Sequence, residues 1–352
     1  MSPGTPLRWA PLLDQLLAGQ DLDEDTAAAV LGTVMRGEAE PSQIAALLVA
    51  LRAKGEAPTE IAGFVRAMLA AAAPIDLSDV GPLVDTCGTG GDGADTFNVS
   101  TVAALVVAAA GVPVAKHGNR AASGRCGSAD LLEAWGVAIE LPPQAAATTI
   151  RELGIGFLFA RTFHPAMRHV APVRSHLGIR TAFNVLGPLS NPAGAAHQVV
   201  GVADARLAPV MADALARLGK THALVFRGDD GLDELTTTGP SHVWEVRSST
   251  GDAQVEQWTV DPSDVGIDRA TLPDLVGGGV ADNVAIADAI LAGQTGPPAD
   301  LVAINAAAAL YAADAVDDLA AGVTRAREVL ASGDGARLRD RWIARSRELA
   351  DT

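Results

Sequence analysis

Two glycine-rich turns between residues 85 and 136 constrain the fold of this chain more than any other feature. The first turn reads GTGGDG over 88–93 and the second reads KHGNR over 116–120, and each lies between a short apolar run and a segment with helical spacing. Glycines at this density tolerate positive φ and let a ligand approach the main chain closely. A turn that leads into a helix can present free backbone N–H groups to an anion. The stretch therefore predicts an anion-binding cradle.

The residues after the first turn support this interpretation. Asn98 is predicted to be a helix N-cap, and Ser100 and Thr101 place two hydroxyls in the first turn of that helix. These hydroxyls would face the anion bound by the loop. A single glycine-rich turn is most often only a turn, so the phosphate-binding interpretation also depends on the second turn.

The second turn repeats the plan. Residues 112–115 are predicted to form a buried strand, which Lys116 and Arg120 follow as two cations beside the same anion. A helix is then predicted from about Ser128 to Gly136. Two such turns in tandem, with cations and hydroxyls between them, favour phosphate binding.

Composition limits the classes of partner. At 352 residues the chain is long enough for two domains, and its 49% hydrophobic content excludes disorder. The net charge of -16 disfavours a nucleic-acid or anionic-membrane surface, since both need clustered Lys and Arg. An acidic protein that binds a polyphosphate must gather its cations locally or recruit a metal ion.

The two cysteines and the N-terminal segment indicate the cellular compartment. Only Cys87 and Cys126 are present, without a CxxC spacing, which favours a reducing compartment. The segment MSPGTPLRWAPLLDQL lacks the pattern of a signal peptide. The longest apolar run, 103–115, is interrupted by Gly and Pro and is too short to cross a bilayer. We expect a soluble, cytoplasmic protein.

Hydrophobic periodicity divides the chain into two parts. Residues 1–78 carry helical spacing only and predict a small all-helical domain. Residues 79–352 alternate apolar strands with helices, which predicts an α/β domain with a mostly parallel central sheet flanked by helices. A helical insertion around 164–192 interrupts this alternation, and 241–260 alternate as edge strands would. The parallel strands are predicted at 112–115, 137–141, 155–159, 199–202 and 223–226.

Adjacent carboxylates in GLDELTTTG form a candidate metal site. Asp233 and Glu234 follow a predicted strand that ends near Phe226. Mg²⁺ in proteins binds one or two carboxylates together with substrate phosphates. An isolated Asp-Glu pair is more often a solvated acidic loop, but beside a phosphate cradle the metal site is favoured.

Five motifs in order resemble those of the anthranilate phosphoribosyltransferase family. They are GTGGDG, TFNVST, KHGNR with GSADLLEAWG, APVRSHLGIRTAFNVLGPLSNPA, and GLDELTTTGP. The resemblance extends from about Asp85 to the helices near Tyr311. It implies that the insertion joins the helical domain, that the ligand cleft lies between two domains, and that the helical domain carries a homodimer contact.

The resemblance also implies which residues contact two substrates, phosphoribosyl pyrophosphate and anthranilate, and two Mg²⁺ ions. The residues implied for phosphoribosyl pyrophosphate are Gly88, Gly91, Asp92, Thr96, Asn98, Val99, Ser100, Thr101, Lys116, His117, Gly118, Asn119, Arg120, Ser123, Gly124 and Ser128. Those implied for anthranilate are Gly88, His117, Asn119, Met167, Arg174 and Pro188. The metal ligands implied are Ser100, Asp233 and Glu234.

The implied reaction displaces pyrophosphate from the ribose by the amine of anthranilate. Catalysis would rest on Mg²⁺ and on positioning rather than on a dedicated base, with Lys116 and His117 as the catalytic candidates. One departure concerns residues 123–127, which read SGRCG where the family usually reads close to SSKSG. The loss of two hydroxyls brings the strength of phosphate binding into question, although Gly124 keeps its N–H.

Two alternatives remain open from the sequence. A nucleoside phosphorylase of the related fold would cleave a base from ribose with inorganic phosphate, and a non-catalytic relative would bind nucleic acid. Arg174, Asn119 and the carboxylate pair favour the transferase, and the acidic charge disfavours the nucleic-acid binder. Arg174 alone could be only a surface ion pair. Asn305 is predicted to be a hydrogen-bonded core amide.

Overall fold

Five parallel strands form the centre of the structure, and their carboxyl ends lie at one edge of the sheet. The computed structural model describes residues 7–121, 124–249 and 252–351. The described strands are β1 (Val84–Gly88), β2 (Val114–Gly118), β3 (Ile155–Phe159), β4 (His197–Gly201), β5 (His222–Gly228), β6 (Ser241–Ser249) and β7 (Asp252–Val260). Their order is β3-β2-β1-β4-β5-β6-β7, and β6 and β7 are antiparallel. The predicted mostly parallel sheet is confirmed.

Four helices precede the sheet, in agreement with the helical spacing of residues 1–78, and the others surround it. The first four are α1 (Trp9–Leu17), α2 (Glu24–Met35), α3 (Pro41–Lys54) and α4 (Pro58–Ala70). The others are α5 (Val99–Ala109), α6 (Ser128–Trp135), α7 (Pro143–Leu153), α8 (Ala160–Phe163), α9 (Ala171–Leu177), α10 (Phe183–Leu189), α11 (Leu207–Arg217), α12 (Val280–Leu291), α13 (Pro297–Ala312), α14 (Leu319–Ser332) and α15 (Asp334–Ala350). Short 3₁₀ helices lie at Pro165–His169, Pro262–Val265 and Leu272–Leu275. Among the described helices, none has the length and apolar content needed to cross a membrane.

The two faces of the sheet bury different groups of helices. On β5, Ala223 and Val225 pack with the N-terminal helices and α11, whereas Leu224 and Phe226 pack with α5 and α13. Successive strand residues point to opposite faces, which explains this alternation. The sheet is therefore covered by helices on both faces.

The insertion around 164–192 packs with the N-terminal helices in one hydrophobic cluster. Val173 of α9 and Phe183 of α10 belong to the same buried cluster as Leu16 and Phe64 of the first four helices. Burial of apolar surface is what stabilises such a small helical unit. The insertion thus supplies part of the core that the first four helices lack.

One predicted strand, 137–141, is absent from the structure. Val137, Ile139 and Leu141 are buried in alternation, as in a strand with one buried face. The segment nevertheless pairs with no strand of the sheet, in which β3 is an outermost strand and pairs with β2 only. The main-chain N–H of Ala138 donates instead to the Ser346 hydroxyl on α15 at 3.0 Å. Packing beneath a helix produced the same period-two pattern as strand pairing.

Candidate active site

Three loops meet where the parallel strands end. We call residues 89–98 after β1 the first loop, 119–127 after β2 the second loop, and 229–240 after β5 the acidic loop. Ligands of open parallel sheets bind outside the carboxyl ends of the strands. The topology therefore places all three loops at the edge where a ligand is expected.

The first loop has the backbone that its glycines predict. Gly90, Gly91 and Gly93 have φ of 63°, 82° and 76°, a region that residues with a side chain rarely adopt. Asp95 has φ of 50° in the same loop. Positive-φ residues other than glycine concentrate at functional sites, which agrees with a ligand-binding role for this loop.

The acidic loop packs directly against the glycines of β1, β4 and the first loop. The N–H of Gly90 donates to Asp233 Oδ2 at 2.6 Å. A Cβ at Gly88 would overlap the Asp233 carboxylate, and a Cβ at Gly201 would overlap its main-chain carbonyl. Glycine is required at both strand ends because a side chain would occupy the space that Asp233 fills.

The side chain of Asn305 on α13 forms hydrogen bonds to the main chain of the acidic loop. Its Oδ1 accepts from the N–H of Leu235 at 2.9 Å, and its Nδ2 donates to the Leu235 carbonyl at 3.0 Å and to the Leu301 carbonyl at 2.9 Å. The side chain is 3% exposed. The prediction of a hydrogen-bonded core amide is confirmed, and the amide fixes the residue next to Glu234.

The carboxylates of Asp92, Asp233 and Glu234 lie near one another, and nearby cations offset their charges only in part. Burial, with the charge of Asp92, raises the pKa of Asp233 to about 7. Burial and then the charge of Asp233 raise the pKa of Glu234 well above its usual range. Asp92 Oδ2 is buried and has no hydrogen-bond partner within the described residues. Such a set of oxygens fits a hard divalent cation, which would favour the ionised carboxylates.

The sequence predicts Lys116 in the turn after a strand over 112–115. This is wrong, because β2 extends to Gly118 and Lys116 lies within the strand. Its Nζ donates to the Thr86 carbonyl at 2.6 Å and to Ser100 Oγ at 3.2 Å. Burial lowers the pKa of Lys116, and the charge of Asp85 opposes this shift. The ammonium group therefore lies between β1 and the first turn of α5, and its charge also acts on Glu234.

Asn98 connects the first loop to the second. It occupies the N-cap position of α5, as the sequence predicts, and its Oδ1 accepts from the Thr101 hydroxyl. Its Nδ2 donates to the Cys126 carbonyl at 3.1 Å. Val99 begins α5 and is buried, and Thr96 pairs through an isolated bridge with Val276. The Asn98 side chain thus joins the start of α5 to the main chain of the second loop.

The second loop is closed by Asp130 of α6. Its Oδ2 accepts from the N–H groups of Ala121 and Gly127, both at 2.9 Å. Arg120 donates to Glu133 through two nitrogens, at 2.7 and 2.9 Å, and to Asp130 at 3.2 Å. The guanidinium predicted to face the anion therefore already has two carboxylate partners.

Other residues predicted to bind the ligand lie in the second loop or next to it. Ser128 Oγ donates to the Asn119 carbonyl at 3.2 Å, and a Cβ at Gly118 would overlap Ser128 Oγ. Gly124 has open space around the position of a Cβ and its φ is outside the left-handed region. Ser123 lies outside the described residues.

The insertion supplies an aromatic and cationic wall to the site. His117 and His164 are in edge-to-face contact, with ring centroids 5.1 Å apart. Burial and the charge of His164 lower the pKa of His117 to about 3, although a hydrogen bond with the Gly187 backbone opposes the shift. His117 is therefore neutral at physiological pH. Met167 donates its N–H to the His164 carbonyl at 3.0 Å, and the Pro188 carbonyl accepts from the Gln198 amide at 2.7 Å.

Arg174 of α9 is half-buried and has no carboxylate partner among the described residues. Its guanidinium carbon lies 5.4 Å from the centre of the Phe183 ring. Burial alone lowers its pKa. The surface ion pair that the sequence left open is thus not formed, and a half-buried cation without a counter-ion favours an anionic ligand.

Arg180 is a site residue that the sequence did not indicate. Its guanidinium occupies the position that a Cβ at Gly91 would take, and its Nη2 is 3.5 Å from the Thr89 carbonyl. The charge of Arg180 opposes the rise in the pKa of Asp233. The only available signal was a second arginine in the motif that contains Arg174, and spacing alone could not assign it to the first loop.

Comparison with known proteins gives consistent matches over both parts of the chain. The model of the glycosyl transferase family, helical bundle domain, matches residues 10–72, and that of the glycosyl transferase family, a/b domain, matches residues 80–336. An anthranilate phosphoribosyltransferase from Thermomicrobium roseum is 51% identical over 97% of this chain and 97% of its own. The crystal structure of the Thermus thermophilus enzyme of that name has a TM-score of 0.88, with 50% identity over 95% of this chain and 99% of that one.

A more distant relative was solved with ligands. The anthranilate phosphoribosyltransferase from Saccharomyces cerevisiae in complex with PRPP and Mg has a TM-score of 0.86, with 26% identity over 97% of this chain and 98% of that one. The same enzyme was solved in complex with 4-fluoroanthranilate, with a TM-score of 0.85. These matches span nearly the full length of both chains.

The close packing at Gly201 gives a first testable expectation. Gly201→Ala should lower the free energy of unfolding by about 1–3 kcal/mol, because the new methyl group overlaps the Asp233 carbonyl and the acidic loop must move. Gly239→Ala, in the same loop but with open space at the Cβ position, is the matched control and should change little. Urea denaturation of both variants measures the difference, and equal midpoints would contradict the packing argument.

Proposed function

The chain belongs to the anthranilate phosphoribosyltransferase family of glycosyl transferases, and on that premise we propose that it acts in tryptophan biosynthesis. It transfers the phosphoribosyl group of phosphoribosyl pyrophosphate to the amine of anthranilate, giving N-(5-phosphoribosyl)anthranilate and pyrophosphate. The observation that carries this proposal is the contact between the glycine-rich first loop and the carboxylates of the acidic loop at the carboxyl ends of the strands. Arg174, which has no carboxylate partner among the described residues, supports it. The yeast relative's complexes with PRPP, Mg and 4-fluoroanthranilate support it.

Phosphoribosyl pyrophosphate would bind to the first and second loops. The left-handed glycines of the first loop would let the ligand approach the main chain closely, and the N-terminus of α5 adds Ser100 and Thr101. Lys116 supplies a buried positive charge that reaches Ser100. Because Arg120 already contacts Glu133 and Asp130, it would position the second loop rather than bind the phosphate directly.

We assign Mg²⁺ to the acidic loop, with Asp233 and Glu234 as the principal ligands and Ser100 as a ligand of a second ion. The unpartnered Asp92 oxygen and the raised pKa values of the two carboxylates support this assignment. When bound, the metal supplies electrostatic stabilisation of the leaving pyrophosphate. Gly90 and Asn305 keep the carboxylates in place through the contacts that they make with the acidic loop.

Anthranilate would bind between the insertion and the second loop. Arg174 can form two parallel hydrogen bonds to its carboxylate, and Asn119 would be a second contact. His117, Met167 and Pro188 would line the path of the aromatic ring. Since His117 is neutral at physiological pH, it positions the amine, whose lone pair is free without a base.

The remaining assignments concern assembly and location. We propose a homodimer through the N-terminal helical domain, with the boundary to the second domain near residue 79. Leu17 of α1 and Val49 of α3 are 73% and 44% exposed, and a dimer contact through these helices would cover apolar side chains of this kind. The two free cysteines, Cys87 and Cys126, agree with the cytoplasm.

One assay tests the proposed reaction. Purified protein with phosphoribosyl pyrophosphate, anthranilate and Mg²⁺ should consume anthranilate, measured as the loss of its fluorescence. Excess chelator, or Asp233→Ala combined with Glu234→Ala, should abolish turnover while the urea midpoint shows a folded protein. Full activity in chelator would contradict the metal assignment, and phosphorolysis of a nucleoside in place of this reaction would contradict the transferase.

Arg174 gives a second kinetic test. Arg174→Ala should lower kcat/KM for anthranilate by about 10- to 150-fold, because a hydrogen bond to a charged group contributes about 1.5–3 kcal/mol. The KM for phosphoribosyl pyrophosphate should stay nearly unchanged. Arg168→Ala, an exposed arginine of the neighbouring 3₁₀ helix, is the control. Equal weakening of both substrates would mean that Arg174 has a structural role.

Gly124 tests the departure from the family pattern. Because its φ is not left-handed and its Cβ position is open, the structure gives no strain that would oppose a side chain. Gly124→Ser should therefore lower the KM for phosphoribosyl pyrophosphate, by the ~0.5–1.5 kcal/mol of an ordinary hydrogen bond. Gly124→Ala separates the hydroxyl from the backbone effect. A KM that rises several-fold in both variants would show that this loop needs glycine.

A further inference from the structure

Two histidines and an aspartate meet at the end of the sheet opposite the candidate active site. His197 begins β4 and His222 begins β5, and the two residues are register partners on neighbouring parallel strands. Asp314 lies in the connection between α13 and α14. Ligand-capable atoms of these three side chains all lie within 4.8 Å of one another. None of the assigned substrate or metal contacts uses them.

His197 has an unused ring nitrogen in a buried environment. The residue is 5% exposed, and its Nδ1 has no hydrogen-bond partner in the described part of the chain. A buried polar atom without a partner is costly and calls for an explanation. A metal ion bound to this nitrogen would remove that cost.

His222 has the arrangement of a metal ligand with an outer carboxylate. It is 1% exposed, its Nε2 lies 3.0 Å from Glu245 Oε1, and its Nδ1 lies 3.0 Å from Asp314 Oδ1. Metal-binding histidines usually donate their second ring N–H to a carboxylate, which fixes the tautomer and increases the basicity of the ligand nitrogen. With Nε2–H donated to Glu245, Nδ1 is left to bind an ion beside Asp314.

Glu245 is held firmly in this outer position. Trp258 Nε1 donates to its Oε2 at 2.8 Å, and the Tyr311 hydroxyl donates to its Oε1 at 3.1 Å. Arg247 Nε also donates to Oε1, at 2.5 Å. These contacts fix the position of the carboxylate before any ligand binds.

Asp314 adds an accessible oxygen in an unusual backbone conformation. It has φ of 53°, and non-glycine residues in this region concentrate at ligand clamps. Its side chain is 54% exposed, which gives an ion a path from solvent to the buried histidines. The two imidazoles and this carboxylate form an N₂O donor set that is open on the solvent side.

Two cations oppose the binding of a metal ion here. Arg247 Nη1 lies 3.4 Å from Asp314 Oδ1, and Lys220, whose Nζ donates to the Ala195 carbonyl, adds a positive charge near His197. The competing explanation is a protonated His222 that bridges Glu245 and Asp314. That bridge accounts for both nitrogens of His222 but leaves His197 Nδ1 without a partner.

We propose that His197, His222 and Asp314 form a three-ligand site for Zn²⁺ or a similar divalent transition metal. Imidazole nitrogens select such ions over Mg²⁺, which prefers oxygen ligands. A tetrahedral ion would keep one position for water on the solvent side. It would join the starts of β4 and β5 to the connection after α13. The ion would thus stabilise the amino ends of these two strands, away from the candidate active site.

The test uses the full chain, stripped of metal and then saturated with Mg²⁺ so that the acidic loop is occupied. Titration with Zn²⁺ by calorimetry should show one equivalent bound, and Co²⁺ should give the visible absorption bands of a tetrahedral nitrogen and oxygen site. Zn²⁺ should also raise the Tm, since an ion that binds only the folded state stabilises it. Absence of one-equivalent binding in the wild-type protein would overturn the proposal.

Variants assign the binding to these residues. His197→Ala and Asp314→Asn should each weaken Zn²⁺ binding at least 10-fold and remove the Co²⁺ bands. Asp314→Asn retains the fold because Asn also adopts the left-handed region, so it decides the matter if His197→Ala does not fold. His242→Ala is the matched control, since His242 forms another histidine and carboxylate pair, with Asp229 at 2.8 Å, and should bind Zn²⁺ like the wild type. Unchanged Zn²⁺ affinity in Asp314→Asn would overturn the proposal.

Discussion

The site depends on the close approach of Asp233 to the glycines that end β1 and β4. Gly88 and Gly201 leave the space that its carboxylate and carbonyl fill, and Gly90 donates an N–H to it. Only residues without a Cβ permit this contact, because the main chains of the loop and the strands are too close for a methyl group. The parallel sheet sets the distance between the strand ends, so the fold itself positions the carboxylate beside the first loop.

Electrostatic repulsion is the opposing force at this edge. The charge of Asp92 contributes to the raised pKa values of Asp233 and Glu234, while Lys116 and Arg180 offset only part of the effect. Like-charged carboxylates held together by packing are unfavourable in the free protein. A divalent cation between these carboxylates would relieve the repulsion, which is why the arrangement agrees with the proposed metal site.

Much of this arrangement could be predicted from the sequence where the local backbone alone decides it. The glycine turns, the N-cap at Asn98, the mostly parallel sheet and the buried amide of Asn305 follow from φ requirements, capping and periodicity. The sequence failed where contacts between distant segments decide. Residues 137–141 pack beneath α15, and Arg180 reaches Gly91 across the site, and no local pattern encodes either contact.

The two ends of the sheet differ because a parallel strand has two unlike termini. At the carboxyl ends, glycines open space for a loop and its ligand, and every parallel connection leaves toward the helices from that edge. At the amino ends, His197 and His222 begin adjacent strands in register, so their side chains stay neighbours without help from a loop. A cluster at that edge can therefore be held rigidly by the sheet while it remains far from the reacting groups. Its chemistry is free to differ from that of the candidate active site, with imidazoles in place of the carboxylate oxygens that we propose as metal ligands.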